Sequence, residues 1–304
     1  MDWRLLVDAV CVLALCAALV RVRRDSELIE QLRKAFTSDL RALPHTSLGS
    51  AIVSASRGID VGGDVFDVYD LDGRYGVFMI ADVSGKGVGA SADTGFIRHS
   101  MRTFAIETGG DPAAVLTKFN TLYQRIVAVP ESFVVAVAGK IDTHTGEIVY
   151  ANAGHEPAYV KHRDRVTLLA PTGPVLGVFN DVVYRNSTAR LESGDVLILA
   201  TDGITETRDT RGTLLGAAGL GVWIARTRGN ASQVAGSLMA AFHERIRGRV
   251  HDDVALLVLR YEPEAAPARL RFPAGDADTP LGDVTALAIS TAGVYHTRSQ
   301  FFKR

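Results

Sequence analysis

From about residue 47 to residue 262 the sequence is a series of short, period-two runs rich in β-branched residues, each closed by glycine or aspartate and separated by longer helical stretches. "AIVSASR", "FDVYDLDGRYGVFMIAD", "FVVAVAGKIDTHTGEIVYANAG", "DVLILATDG" and "DVALLVLRY" read as strands. Two of these runs contain a tight glycine-bearing turn and fold back as hairpins. Residues 90–107 read as a helix, and "DPAAVLTKFNTLYQRIV" as a better one. In it Asp111 is the N-cap, Pro112 opens the first turn, and Val115, Phe119, Leu122 and Ile126 form one apolar stripe. "NASQVAGSLMAAFHERIRG" repeats this grammar from an Asn230 cap to Gly248. Hairpins mixed with segregated helices predict an α+β domain over residues 44–262 rather than a parallel βαβ sheet.

The rest of the chain is read differently. "LLVDAVCVLALCAALVRVRR" is apolar from Leu5 to Val20 apart from Asp8 and is closed by Arg21, Arg23 and Arg24. Residues 1–24 are expected to form a single-pass transmembrane anchor, and the arginines put the downstream domain in the cytoplasm. Residues 25–43 carry Leu28, Ile29, Leu32, Phe36, Leu40 and Leu43 at helical spacing, an amphipathic connector whose stripe is suited to pairing in a homodimer. Residues 263–304 read as a flexible tail. The two cysteines, Cys11 and Cys16, both lie in the apolar run, which leaves no disulfide framework and no cysteine zinc site. A net charge of -1, without a basic patch interleaved with aromatics, argues against nucleic acid as a partner.

The acids are the chemical signal. "GGDVFD" sets Asp64 and Asp67 beside two glycines at the start of a strand. With the hairpin turn centred on Asp72 and Gly73, Asp64 falls opposite Ala81 or Asp82. Asp202 ends "VLILATD", and Asp252 and Asp253 precede "VALLVLRY", so an antiparallel pairing of those strands brings their acids to one edge. Like charges at that spacing repel unless a cation lies between them. An all-oxygen set with no cysteine or histidine cluster suits two hard ions, Mn²⁺ or Mg²⁺, and such a pair supports attack of water on a phosphoryl group. The glycines leave room for that approach.

"GGDVFD", "ADVSGKG", "NAGHEPAY", "ATDGITE" and "HDDVALLV", in that order, resemble the metal-dependent protein phosphatases (PPM, protein phosphatase 2C-like), in particular the bacterial stage II sporulation protein E type. The resemblance covers about residues 40–260. It implies a four-layer αββα sandwich of two antiparallel sheets flanked by helices, with the metals at one end. It also implies that Asp82 bridges both ions and forms the catalytic centre with Asp64, that the Val83 carbonyl adds a ligand, and that Asp202 and Asp252 complete the pair. Asp253 is next to the matching position and can substitute. The implied activity is Ser/Thr phosphoprotein phosphatase, and the implied substrate a phosphorylated anti-sigma-factor antagonist.

The chain departs from that pattern after "ADVSGKG", where Gly89, Asp93 and Gly95 stand in a stretch expected to be a smooth helix. Arg57 and Lys86 are phosphate-binding residues or surface cations, and His155 reads as a turn-fixing hydrogen-bonder. Two other readings stay open: a non-catalytic module with the same fold, and a hydrolase of small phosphate esters.

Overall fold

Two aspartates and a glycine make the turn that sets the first register. Gly73, at φ 86°, donates its N–H to Asp70 Oδ1 at 2.8 Å, and Asp72 Oδ1 accepts from the N–H groups of Arg74 and Tyr75. In the computed structural model, which describes residues 42–53, 63–84, 88–126, 132–246 and 252–263, this turn joins β2 (Asp64–Asp70) to β3 (Tyr75–Val83). The pairing is antiparallel, with Asp64 directly opposite Asp82 and Asp70 opposite Gly76. Turn chemistry thus fixes which acids face each other.

The hairpin continues into a five-stranded sheet of order β2-β3-β4-β5-β8, with β4 (Val134–Asp142), β5 (Glu147–Ala153) and β8 (Ser187–Arg190). A second five-stranded sheet has the order β1-β10-β9-β6-β7, built from β1 (Thr46–Val53), β6 (Ala158–His162), β7 (Arg165–Leu169), β9 (Val196–Ala200) and β10 (Val254–Tyr261). Every pairing within the two sheets is antiparallel.

Strand periodicity then sorts the side chains into layers. Phe66, Val68, Phe78 and Ile80 of the first sheet pack against Leu197, Leu199, Leu257 and Leu259 of the second, between the sheets. Their alternates Val65, Val77, Met79 and Ala81 face α1 (Val88–Glu107) and α2 (Pro112–Ile126), against Ile97, Met101, Leu116 and Phe119. Val196, Ile198, Leu256 and Val258 face the other way, onto α4 (Gly216–Arg226) and α5 (Ala231–Ile246); α3 is the short helix Asp202–Thr205. Burying each large apolar side chain contributes roughly 1.5–3 kcal/mol. The result is the expected pair of antiparallel sheets flanked by helices.

Several details differ from the sequence reading. The apolar stripe of α2 is Val115, Leu116, Phe119, Asn120 and Tyr123, whereas Ile126 is exposed and Leu122 only half-buried. Val115 and Phe119 are buried as expected, and Asn120 and Tyr123 join them with their polar atoms satisfied inside the fold. Leu43, read as the end of the connector, is buried between the sheets with Phe66 and Phe78. The helix after "ADVSGKG" is continuous through Gly89, Asp93 and Gly95. The expected anchor (1–24), most of the connector and all but the first residue of the tail lie outside the described residues, as do Arg57 and Lys86. Among the described residues no helix is long and apolar enough to cross a membrane.

Both caps hold. The Ala114 N–H donates to Asp111 Oδ1 at 3.1 Å. Asn230 and Gln233 bond reciprocally, each backbone N–H to the other's side-chain oxygen at 3.0 Å.

Candidate active site

Both sheets deliver acids to the same end of the sandwich. Asp64 begins β2 and Asp82 is the penultimate residue of β3. In the other sheet Leu256 pairs with Ala200, so the antiparallel run carries Asp202 past the end of β9 to the level where Asp252 and Asp253 lead into β10. Asp82, Val83, Asp202, Asp252 and Asp253 line one cavity of about 270 Å³. Asp64 lies just beneath, buried.

Two hydrogen bonds join the sheets there. Thr201 Oγ1 donates to Asp64 Oδ2 at 2.7 Å, and the Gly63 N–H donates to Asp253 Oδ2 at 3.0 Å. Asp253 also donates its own N–H to Asp252 Oδ1 at 3.0 Å. This closeness leaves a tight fit at one glycine and no room at another. A Cβ on Gly63 would lie 3.1 Å from the Val83 carbonyl oxygen and 3.2 Å from Asp82 Oδ1, and one on Gly203 would lie 1.9 Å from the Asp253 carbonyl oxygen.

Electrostatics mark the acids as a cluster in need of positive charge. Burial, and then the neighbouring Asp82, hold the Asp64 carboxyl well above the usual carboxylate range, although its bond from Thr201 works the other way. Burial, and then Asp202 and Asp252, push Asp82 up to about 7. Glu156, on the cavity wall, is also raised, by burial and then by Asp202 and Glu206.

Among the described residues no three His, Cys, Asp or Glu side chains are already gathered tightly enough to enclose an ion. The donor chemistry nonetheless fits a hard divalent cation: oxygen donors from two sheets around one cavity, with mutual repulsion that bound positive charge would relieve.

The remaining walls are neutral. Phe133, Val135, Gly154 and His155, with Gly63 and Ser84, complete them. Burial drives the His155 imidazole down to about 4, so the ring is neutral at neutral pH. Its Nδ1 lies 3.0 Å from the Glu156 carbonyl, which only accepts, so Nδ1 carries the proton. The turn is held chiefly by Asn152, whose Oδ1 accepts from the His155 N–H at 2.9 Å and whose Nδ2 donates to the His155 and Glu156 carbonyls. His155 thus serves the turn as expected, but Asn152 does more of it.

Asp67, the second acid of "GGDVFD", takes no part in the cavity. It is fully buried, receives Arg102 Nε and Nη2 at 2.8 and 2.9 Å, and has Arg98 Nε at 3.6 Å, tying β2 to α1. Thr201, Asn152 and Glu156 were not singled out in the sequence, although they stand inside or beside the motifs "ATDGITE" and "NAGHEPAY".

Comparison with known proteins places this geometry in a family. The family described as stage II sporulation protein E (SpoIIE) matches residues 72–262. Phosphoserine phosphatase RsbU of Bacillus subtilis is 28% identical over 226 residues, covering 71% of this chain and 67% of RsbU. Phosphoserine phosphatase RsbP of the same organism is 26% identical over 192 residues, covering 62% of this chain and 46% of RsbP. The solved PP2C phosphatase domain of B. subtilis SpoIIE, with a fragment of its regulatory domain, superposes with a TM-score of 0.63 at 21% identity, over 72% of this chain and 64% of that one. The chain therefore spans about two thirds of RsbU and less than half of RsbP. It belongs to the stage II sporulation protein E (SpoIIE) family and shares the fold of that family's solved phosphatase domain.

Proposed function

We propose that this chain is a Mn²⁺- or Mg²⁺-dependent Ser/Thr phosphoprotein phosphatase acting on a phosphorylated anti-sigma-factor antagonist or a similar regulator. The observation that carries the proposal is the register of Asp64 against Asp82, with Asp202, Asp252 and Asp253 arriving at the same cavity from the other sheet. The names of RsbU and RsbP as phosphoserine phosphatases support it.

In this reading Asp82, Asp64, the Val83 carbonyl, Asp202 and Asp252 would hold two divalent ions, with Asp82 shared between them. Asp253, engaged with the Gly63 N–H, orients that loop and is the alternative ligand. Bound divalent cations supply neutralising charge for the phosphoryl oxygens and activate water for attack. Thr201 orients Asp64, Gly63 leaves space beside Asp82, and Phe133 and Val135 wall the cavity. The neutral His155 holds the turn and gives no proton to the leaving seryl oxygen near pH 7.

The apolar run and the arginines of residues 1–24 support single-pass attachment to the cell membrane with the phosphatase domain in the cytoplasm. The apolar stripe of the connector supports a homodimer.

The test is phosphate release from a serine-phosphorylated anti-sigma-factor antagonist. Turnover should require added Mn²⁺ or Mg²⁺ and stop with chelator. Undiminished turnover in excess chelator would refute the metal-dependent mechanism.

A further inference from the structure

Just outside the cavity the chain exposes apolar side chains on a turn that is firmly held. After β7 it runs back beside β4, where Val134 and Leu176 exchange both backbone hydrogen bonds, at 3.1 and 2.8 Å. That antiparallel contact sets Gly177 opposite Phe133, a wall of the cavity. The turn that follows presents Val178, Phe179 and Val183 at 51%, 53% and 76% exposure.

The buried side chain of Asn120 on α2 accepts from the Gly177 N–H at 2.7 Å and donates to the Phe179 carbonyl at 3.1 Å. At the far end the Tyr184 N–H donates to Thr117 Oγ1 and the Tyr184 hydroxyl to the Val175 carbonyl, both at 3.3 Å. With both ends tied down, the turn buries Val182 in part against the core but leaves Val178, Phe179 and Val183 exposed.

We propose that Val178, Phe179 and Val183 form a docking ledge for an apolar surface of the phosphoprotein whose phosphoseryl side chain enters the cavity; this rests on the phosphatase reading. Two observations choose that occupant. A cavity of about 270 Å³ takes a side chain and not a folded protein, so a protein substrate rests on the surface around it. Phe133, lining the cavity and 38% exposed, makes the ledge continuous with it.

The test is steady-state kinetics of the full chain with Mn²⁺ on two substrates: a serine-phosphorylated anti-sigma-factor antagonist, and p-nitrophenyl phosphate. Phe179→Asp and Val183→Asp should each lower kcat/KM on the phosphoprotein about tenfold, chiefly through KM, as loss of an anchor at the centre of an interface does. Turnover of p-nitrophenyl phosphate should stay within about twofold, because the small ester never reaches the ledge. Val183 is exposed enough for its substitution to fold, and thermal melting checks both variants. An equal fall on both substrates, or no fall on either, overturns the ledge. Self-association of the wild type that either substitution abolishes gives the surface to a second copy and also overturns it. A wild type inactive on both substrates refutes the phosphatase reading, and the ledge with it.

Discussion

Thr201 Oγ1 gives its proton to Asp64 Oδ2 at 2.7 Å while its oxygen accepts the Ala255 N–H at 2.8 Å, so one buried hydroxyl links β9, β10 and the first residue of β2. Thr201→Val keeps the shape and removes both bonds. It should destabilise the protein by about 2 kcal/mol, because a buried N–H and a buried carboxyl each lose a partner. Denaturant unfolding in chelator measures this; an unchanged midpoint would show that the hydroxyl is incidental.

Asp67 is the anchor between β2 and α1. Asp67→Ala leaves Arg98 and Arg102 facing a buried site without their carboxylate, and breaking such a pair costs roughly 3–5 kcal/mol. Melting temperature should fall steeply. A loss under about 1 kcal/mol, the range of an exposed ion pair, would contradict the buried clamp.

Burial holds His155 at about 4 against 6.5 for a free imidazole. The unfolded chain therefore binds the extra proton first as pH falls, and stability from this residue, full above about 6.5, is lost progressively toward pH 4. The difference amounts to about 3 kcal/mol. Asp64 and Asp82 act with the opposite sign, since their raised carboxyls take up protons in the folded state. Comparing the wild type with His155→Asn in chelator at pH 7.5 and pH 4.5 cancels those acids: the wild type should lose more stability than the variant. Parallel losses would place the imidazole in water.

Gly203 has no room for a side chain. Gly203→Ala drives a Cβ into the Asp253 carbonyl and should cost about 1–3 kcal/mol, with a further loss of divalent-ion affinity as the loop shifts. Calorimetry with Mn²⁺ and denaturant unfolding report the two effects separately. A variant matching the wild type in both would contradict the observed closeness.

The hairpin register was legible to within one residue, since a turn centred on Asp72 and Gly73 put Asp64 opposite Ala81 or Asp82; the bond from the Gly73 N–H to Asp70 is part of the turn that settles it on Asp82. The level of Asp202 with Asp252 and Asp253 followed from the antiparallel run in the same way. β7 and β8 gave little signal, since "RVTLL" and "STAR" are mostly exposed and lack the apolar alternation of a packed strand. The α2 stripe was right at Val115 and Phe119 and wrong at Leu122 and Ile126, because Asn120 and Tyr123 look like surface residues until their partners, the 177–179 turn and Ser132, are in place. The role of Thr201 depends on a carboxylate 137 residues away. Asp67 could not be separated from Asp64 by sequence, because its arginines lie a strand and most of a helix further on.

The central claim is that acids from two sheets make one site for two ions, with Asp82 serving both. Calorimetric titration of the metal-free protein with Mn²⁺ tests it most directly, in the wild type and in Asp82→Ala. The wild type should bind two ions. Asp82→Ala should stay folded, lose affinity for both, and fall below about a tenth of wild-type turnover, a loss of at least ~1.4 kcal/mol of transition-state stabilisation. A wild type that binds no Mn²⁺, or an Asp82→Ala variant with both affinities intact, would contradict the account.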